Sequence, residues 1–144
     1  MMIKGRNFFM TVAAVSLTVL VSPAFAATTP AALVGEYTVE AKKADKAFKG
    51  FTAENGHKFY LAEAKDKKGE TVSCSGCHTK DPTKDGKTRA GKAIKPMAFS
   101  ANKERFTDKA KVEKWFKRNC DDVYARACTP QEKGDFITYL INAK

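Results

Sequence analysis

The run Cys74-Ser75-Gly76-Cys77-His78 places two thiols and an imidazole within five residues. Two cysteines separated by two residues, with a histidine directly after the second, form the attachment pattern of c-type haem. In such a site each thiol is joined to a haem vinyl group, and the histidine becomes an axial ligand of the iron. The motif therefore predicts one covalent haem c, held by Cys74 and Cys77, with His78 as the proximal ligand.

The ligand on the other face of the iron decides what a haem of this kind does, because a strong ligand gives an electron carrier and a weak one gives a gas-binding site. Met97 is the usual type of ligand, although it follows His78 by only 19 residues. Asn119 falls on the apolar face of a predicted helix, where a buried amide needs a partner. The alternatives are packing for Met97 and a helix C-cap for Asn119. His57 is predicted to lie on the surface. Pattern alone ranks Met97 ahead of Asn119 and leaves both open.

Residues 1–26 have the features of a cleaved signal peptide. Lys4 and Arg6 provide the positive start, Phe8 to Val21 are mainly apolar, and small residues precede a cleavage site after Ala26. The apolar stretch is shorter than the roughly 20 residues that span a bilayer. We therefore expect export to a bacterial periplasm, with no membrane anchor after cleavage.

Cleavage would leave residues 27–144 as a single haem domain of 118 residues. Because Lys4 and Arg6 are the only charged residues in the removed segment, the formal charge falls from +10 to +8. A positive balance is typical of proteins that are steered toward an acidic partner, although scattered lysines also serve solubility alone. Nucleic acid is excluded as a partner, because export removes the usual target and no recognition motif is present.

Cys120 and Cys128 remain after haem has taken the first cysteine pair. In an oxidising compartment an even remaining pair is expected to form a disulfide. Closing this short loop would contribute about 2.5 kcal/mol in the chain-entropy model. A zinc site made of all four cysteines is the rival interpretation, but it would leave His78 without a role.

The elements that must position these residues are short helices. Caps and apolar spacing predict four of them, which begin at Thr29-Pro30, Thr52, Thr107-Asp108 and Thr129-Pro130. The predicted buried faces are Leu33, Tyr37 and Ala41 in the first helix, Gly56, Phe59, Tyr60 and Leu61 in the second, Val112, Trp115, Phe116 and Asn119 in the third, and Phe136, Ile137, Leu140 and Ile141 in the last. No strand is predicted. Residues 65–72 are interpreted as a loop, and turn residues are expected to interrupt regular structure from His78 to Pro96.

Several segments resemble a known family. They are Thr88-Arg89-Ala90-Gly91-Lys92, Ile94-Lys95-Pro96, Arg105-Phe106-Thr107-Asp108, the run from Lys111 to Cys120, and the run from Arg126 to Lys133. Together they are similar to the sphaeroides haem protein (SHP) family of oxygen-binding monohaem c-type cytochromes, which is related to cytochrome c″. The resemblance covers roughly residues 71 to 142 with specific motifs, and the helices between about 30 and 62 more loosely.

The resemblance implies an all-α, class I cytochrome c-like fold of about four short helices around one haem, with an extra N-terminal helix. It also implies that Asn119 is the distal ligand, bound through its amide, and that Cys120 and Cys128 form a disulfide. In the family the asparagine leaves the iron on reduction or when a small ligand binds, and a dihaem cytochrome c is the usual electron donor. With the resemblance included, Asn119 is favoured over Met97.

The sequence thus predicts a periplasmic monohaem cytochrome that accepts electrons and binds O2, NO or CO at ferrous iron. The first alternative is a permanently six-coordinate electron shuttle with Met97 on the iron. A third class is a haem enzyme that slowly reduces oxygen or oxidises nitric oxide. As a further hypothesis, Arg89 and Lys92 pair with the haem propionates.

Overall fold

The structure is a computed structural model that describes residues 28–144. The predicted signal peptide, residues 1–26, lies outside the described residues. Helices form most of the regular structure: α1 (Pro30–Ala44), α2 (Ala53–Leu61), α3 (Cys74–His78), α4 (Lys109–Tyr124) and α5 (Pro130–Asn142). Four strands of two residues each lie between α2 and α4: β1 (Ala64–Lys65), β2 (Thr71–Val72), β3 (Gly86–Lys87) and β4 (Ala93–Ile94). None of the helices in residues 28–144 is long and apolar enough to cross a membrane.

The four predicted helix starts are confirmed. The caps are Thr29, Thr52, Asp108 and Thr129, and in each case the side-chain oxygen accepts a hydrogen bond from a backbone N–H of the first helical turn. At α5 the carboxylate of Glu132 also accepts from the backbone N–H of Thr129, which completes a capping box. These bonds satisfy N–H groups that have no partner inside the helix, so the helix starts are specified locally.

The predictions between α2 and α4 were wrong in part. Residues 65–72 belong to a hairpin in which β1 pairs antiparallel with β2, and β3 pairs antiparallel with β4. Asp66 closes the first hairpin, because its carboxylate accepts from the backbone N–H groups of Lys68 and Glu70. Two-residue ladders are too short to produce an alternating pattern, so the sequence carries no signal for them.

The core forms where α1, α2 and α5 meet. Leu33, Tyr37, Tyr60, Ile137 and Leu140 are its largest fully buried side chains. The α2 and α5 backbones approach closely at Gly56, where a Cβ atom would lie 2.0 Å from the carbonyl oxygen of Asp135. A side chain at position 56 would therefore push the two helices apart.

Helix α4 closes the core with only part of its predicted apolar face. Val112 and Phe116 are buried, and the Phe116 ring meets Phe136 of α5 edge to face at 5.5 Å. Trp115 was predicted to share this face, but it is 42% exposed. The guanidinium of Arg118 lies over its ring, 5.6 Å from the ring centroid. The reason for the exposure is that Trp115 lies toward the rim of a large cavity rather than toward α5.

Candidate haem-binding site

Helix α3 presents the Cys74–His78 motif on a single helical turn. Ser73 caps it, because its hydroxyl accepts a hydrogen bond from the backbone N–H of Gly76 at 3.1 Å. The turn ends at Thr79, whose backbone has φ 63° and ψ 163°. That region is strained for any residue with a Cβ atom and persists only when the surroundings hold it. The site therefore depends on contacts from outside the motif.

Tyr60 of α2 supplies two of these contacts. Its hydroxyl donates to the carbonyl oxygens of His78, at 3.0 Å, and Thr79, at 2.7 Å. The Tyr60 side chain is fully buried, and burial raises the pKa of its hydroxyl, which keeps the proton available for donation. Tyr60 thus ties the end of the motif to the helical core.

Gly86 allows β3 to lie directly against the motif. A Cβ atom at this position would be 2.1 Å from the carbonyl oxygen of Cys77 and 2.9 Å from the Cα atom of His78. Real Cβ atoms do not come this close to backbone atoms. Only glycine therefore fits at this position of β3, next to Cys77 and His78.

A cavity of about 1400 Å³ opens beside the motif. Its wall includes every predicted haem-binding and iron-ligating residue, namely Cys74, Cys77, His78, Arg89, Lys92 and Asn119, together with Met97. Val112, Phe116 and Phe136 supply part of its apolar lining. The volume exceeds the roughly 300–1,000 Å³ of an ordinary small-molecule pocket and is large enough for a group of the size of haem. A second cavity of about 320 Å³, beside His57 and Tyr139, contains none of these residues.

His78 has the properties expected of a metal ligand. Burial, and to a smaller extent the charge of Arg105, lowers the pKa of its imidazole to about 4, so the ring is neutral at physiological pH. Its Nδ1 atom is buried and has no hydrogen-bond partner among residues 28–144. A neutral imidazole that lines the cavity is suited to binding iron.

Neither a reactive dithiol nor a zinc site agrees with the geometry. Burial raises the pKa of the Cys74 thiol to about 11, although a hydrogen bond with Tyr124 acts in the opposite direction. A thiol that stays protonated is a poor nucleophile. In residues 28–144 no group of three or more histidine, cysteine or acidic side chains could hold a metal ion. The sulfur atoms of Cys120 and Cys128 are instead bonded to each other, with Cα atoms 5.6 Å apart.

Both candidates for the distal ligand line the same cavity as His78. Asn119 is half-buried in the second half of α4, directly before Cys120. The alternative that Asn119 is a helix C-cap was wrong, because α4 continues to Tyr124 and its C-cap is Ala125. Met97 is buried, and its backbone N–H donates to the carbonyl oxygen of Pro82 at 2.9 Å. The fold thus brings Asn119, Met97 and His78 together, and it leaves the choice between the first two open.

Comparison with known proteins assigns the family. Residues 46–140 match a family model described as "Domain of unknown function (DUF1924)". The chain is 45% identical over 124 residues to "Cytochrome c-type protein SHP" of Cereibacter sphaeroides, covering 85% of this chain and 91% of the relative. The chain belongs to the SHP family of c-type cytochromes. It is also 37% identical over 110 residues to "Cytochrome c″" of Methylophilus methylotrophus, covering 76% of each chain.

Solved structures of the SHP family and of cytochrome c″ have the same fold. A structure described as oxidized SHP, an oxygen binding cytochrome c, matches with a TM-score of 0.72 at 43% identity, covering 79% of this chain and 96% of that one. The crystal structure of oxidized cytochrome c″ matches with a TM-score of 0.74 at 35% identity, covering 80% and 94%. The predicted all-α, cytochrome c-like fold and the covalent haem c are therefore confirmed.

Arg89, one of the two predicted propionate partners in this SHP-family chain, is engaged elsewhere. Its guanidinium pairs with the carboxylates of Asp66, at 3.2 Å, and Glu70, at 3.1 Å. Burial acts to raise the pKa of Asp66, but backbone N–H groups of the hairpin and Arg89 lower it overall. Arg89 thus fastens the β1–β2 hairpin to the segment before β4. Lys92 is exposed at the cavity. Propionate binding by either residue stays a prediction.

Three site residues of this SHP-family member were not identified as such from the sequence. Tyr60 was assigned only to an apolar helix face, Gly86 only to a turn, and Arg105 only to a segment of family resemblance. Arg105 is half-buried and lines the cavity, and burial lowers its pKa while Glu104 acts to raise it. No local pattern distinguishes these positions, because each role depends on residues distant in sequence.

Proposed function

We propose that this protein is a periplasmic electron-accepting cytochrome that binds a diatomic gas at ferrous iron after a weak Asn119 ligand is displaced. The haem, when bound, supplies an iron that takes one electron and offers an axial position to a small ligand. Cys74 and Cys77 hold the haem, and His78 is its proximal ligand. The observation that carries the proposal is that Asn119 and His78 line one cavity.

The surroundings of Asn119 support a ligand that can leave and return. Cys120, the next residue, is buried and bonded to Cys128, so the backbone beside Asn119 is fastened to the start of α5. The amide can then move by side-chain rotation while its Cα atom stays in place. An amide oxygen is a hard, neutral donor that suits ferric iron better than ferrous iron, so reduction weakens it.

The description of one relative supports gas binding. The solved structure of oxidized SHP is described as that of an oxygen binding cytochrome c, and this chain covers 96% of that structure. The cavity that Cys74, Cys77, His78 and Asn119 line in this chain is the basis for extending that property to it.

A second candidate function is a permanent electron shuttle with Met97 on the iron. The observation that favours it is that Met97 is only 8% exposed and lines the cavity wall. A thioether is a strong ligand for haem iron and would keep small gases from binding.

Absorption spectra distinguish the two functions. We expect the reduced wild-type protein to be high-spin and to take up carbon monoxide rapidly. Asn119→Ala should lose the low-spin ferric spectrum, whereas the matched Met97→Leu variant should keep it. A low-spin ferrous spectrum that is indifferent to carbon monoxide, and that becomes high-spin in Met97→Leu, would identify the shuttle instead.

We also propose that the electron donor, a dihaem cytochrome c, presents an acidic surface to the cavity mouth. Lys68, Lys92 and Lys111 line this mouth, are exposed, and have no carboxylate within 4.0 Å among residues 28–144. Eight basic and six acidic side chains line the cavity, which leaves an excess of positive charge. An excess of charge of one sign around a binding site raises association rates in a salt-dependent way. Reduction by such a donor should slow with added salt and slow further in Lys92→Glu, but not in Lys42→Glu on the distant α1.

A further inference from the structure

We propose that Arg105 binds a haem propionate and thereby raises the reduction potential of the haem. This inference rests on the haem c site and is independent of whether the iron binds a gas. It differs from the sequence-based hypothesis, which assigned the propionates to Arg89 and Lys92.

The position of the Arg105 guanidinium is fixed by backbone atoms. Its Nε donates to the carbonyl oxygen of Pro96 at 2.8 Å, and one terminal nitrogen donates to the carbonyl oxygen of Lys95. A guanidinium carries five N–H donors in a rigid, planar fork. Two of them are used by these bonds, so the others are available on a group whose orientation is already set.

Arg105 stands apart from the other arginines of residues 28–144 in its charge environment. Arg89, Arg118 and Arg126 each pair with a carboxylate. Arg105 has no carboxylate within 4.0 Å, and the adjacent Glu104 is directed to Lys95 instead, at 3.8 Å.

The lack of a paired carboxylate matters because of where Arg105 lies. It is half-buried and lines the haem cavity. A partly buried cation without a counter-charge is unfavourable.

The propionates of haem c are the carboxylates that this cavity must accommodate. Arginine binds carboxylates with two parallel hydrogen bonds, which gives both strength and orientation. Among the other cationic candidates, Arg89 is already shared between two carboxylates, and Lys92 is an exposed point charge. Arg105 is therefore the residue whose chemistry and location fit a propionate best.

A redox consequence follows from the sign of the charge. The ferric site carries one more positive charge than the ferrous site, and the guanidinium repels it through a partly desolvated cavity. Removing Arg105 leaves the propionate charge uncompensated, which stabilises the ferric form. The reduction potential must therefore fall.

Redox titration of three variants tests the proposal. For Arg105→Gln we expect the equilibrium constant for reduction to fall about tenfold, which is 59 mV for a one-electron couple. Arg105→Lys, which keeps the charge, and Arg126→Gln, at an arginine outside the cavity lining, should stay within about twofold of wild type. An unchanged potential in Arg105→Gln, with lower thermal stability alone, would show that Arg105 only fastens the loop of Lys95 and Pro96.

Resonance Raman spectra provide a second readout that does not require the glutamine variant to fold. The propionate bending band should shift when wild-type protein is moved from H2O to D2O, because the guanidinium protons exchange. Arg105→Lys replaces a fork by a single ammonium and should move the same band. A band that is unaffected by both changes would overturn the proposal.

Discussion

The hydroxyl of Tyr60 donates a hydrogen bond to the backbone carbonyl of His78 at 3.0 Å and a second one to that of Thr79 at 2.7 Å. This links the buried core of α2 to the end of the haem-attachment motif, across 18 residues of sequence. Thr79 has the strained backbone that ends α3. Tyr60 is therefore a positioning residue, which acts on His78 through the backbone.

Replacing Tyr60 by phenylalanine removes both bonds and keeps the ring. We expect the free energy of unfolding to fall by about 1–3 kcal/mol, because two partly buried carbonyl groups lose their donor. The iron–histidine stretching band of the ferrous protein should also shift, since His78 is less well oriented. Tyr139→Phe is the control, because the Tyr139 hydroxyl forms no hydrogen bond within residues 28–144. Equal effects from both substitutions would argue against a special role for Tyr60.

Alanine at position 86 should damage the proximal side of the site. A Cβ atom 2.1 Å from the Cys77 carbonyl oxygen must displace β3 or the motif, and overpacking of this kind costs about 1–3 kcal/mol. We expect a lower thermal midpoint and a lower yield of haem-loaded protein. Gly35→Ala is the matched control in open space on α1, and it should raise stability by about 0.5–1 kcal/mol. Wild-type stability and haem yield in Gly86→Ala would contradict the observed packing.

The Cys120–Cys128 bond should stabilise the protein and keep Asn119 in place. Cys120→Ser combined with Cys128→Ser is expected to lower the free energy of unfolding by about 2.5 kcal/mol, from the loop-closure entropy of the unfolded chain. Urea denaturation measures this loss, and ferric spectra of the folded variant report on Asn119. Adding a reductant to wild-type protein should reproduce the loss. If urea midpoints are identical with and without the bond, this contribution is refuted.

Glu113 of α4 should make stability depend on pH. It accepts hydrogen bonds from Tyr37 of α1 and from Lys133 of α5, the latter at 2.8 Å. Burial acts to raise the pKa of Glu113, but Lys133 and Tyr37 lower it overall. A lowered pKa means that the stabilisation is present above the unfolded-state pKa of about 4.3 and is lost as pH falls through the folded-state pKa.

Glu113→Gln tests this pH dependence. At pH 7 we expect it to lower the free energy of unfolding by about 1 kcal/mol, since part of the ion pair is screened by solvent. The difference from wild type should disappear when the carboxylate is protonated. Asp85→Asn, at an exposed carboxylate with no ion pair in residues 28–144, is the control. A deficit in Glu113→Gln that is constant with pH would mean that packing, and not charge, is responsible.

The sequence by itself was sufficient to predict the features that depend on neighbouring residues. The haem motif is specified by five consecutive positions. Four helix starts are specified by the caps Thr29, Thr52, Asp108 and Thr129, because each cap accepts a hydrogen bond from an N–H in the first turn of its own helix. Helix caps and short motifs of this kind can be predicted without knowledge of the fold.

Only the tertiary structure decided the features that depend on distant residues. Arg89 pairs with the carboxylates of Glu70 and Asp66, which are 19 and 23 residues away in sequence. Its charge is therefore already paired within the protein. Arg105 lines the haem cavity without such a partner, and Trp115 lies at its rim although its spacing predicts burial. Spacing along a helix fixes which side chains share a face. Which neighbour that face meets is set by the packing of the whole chain.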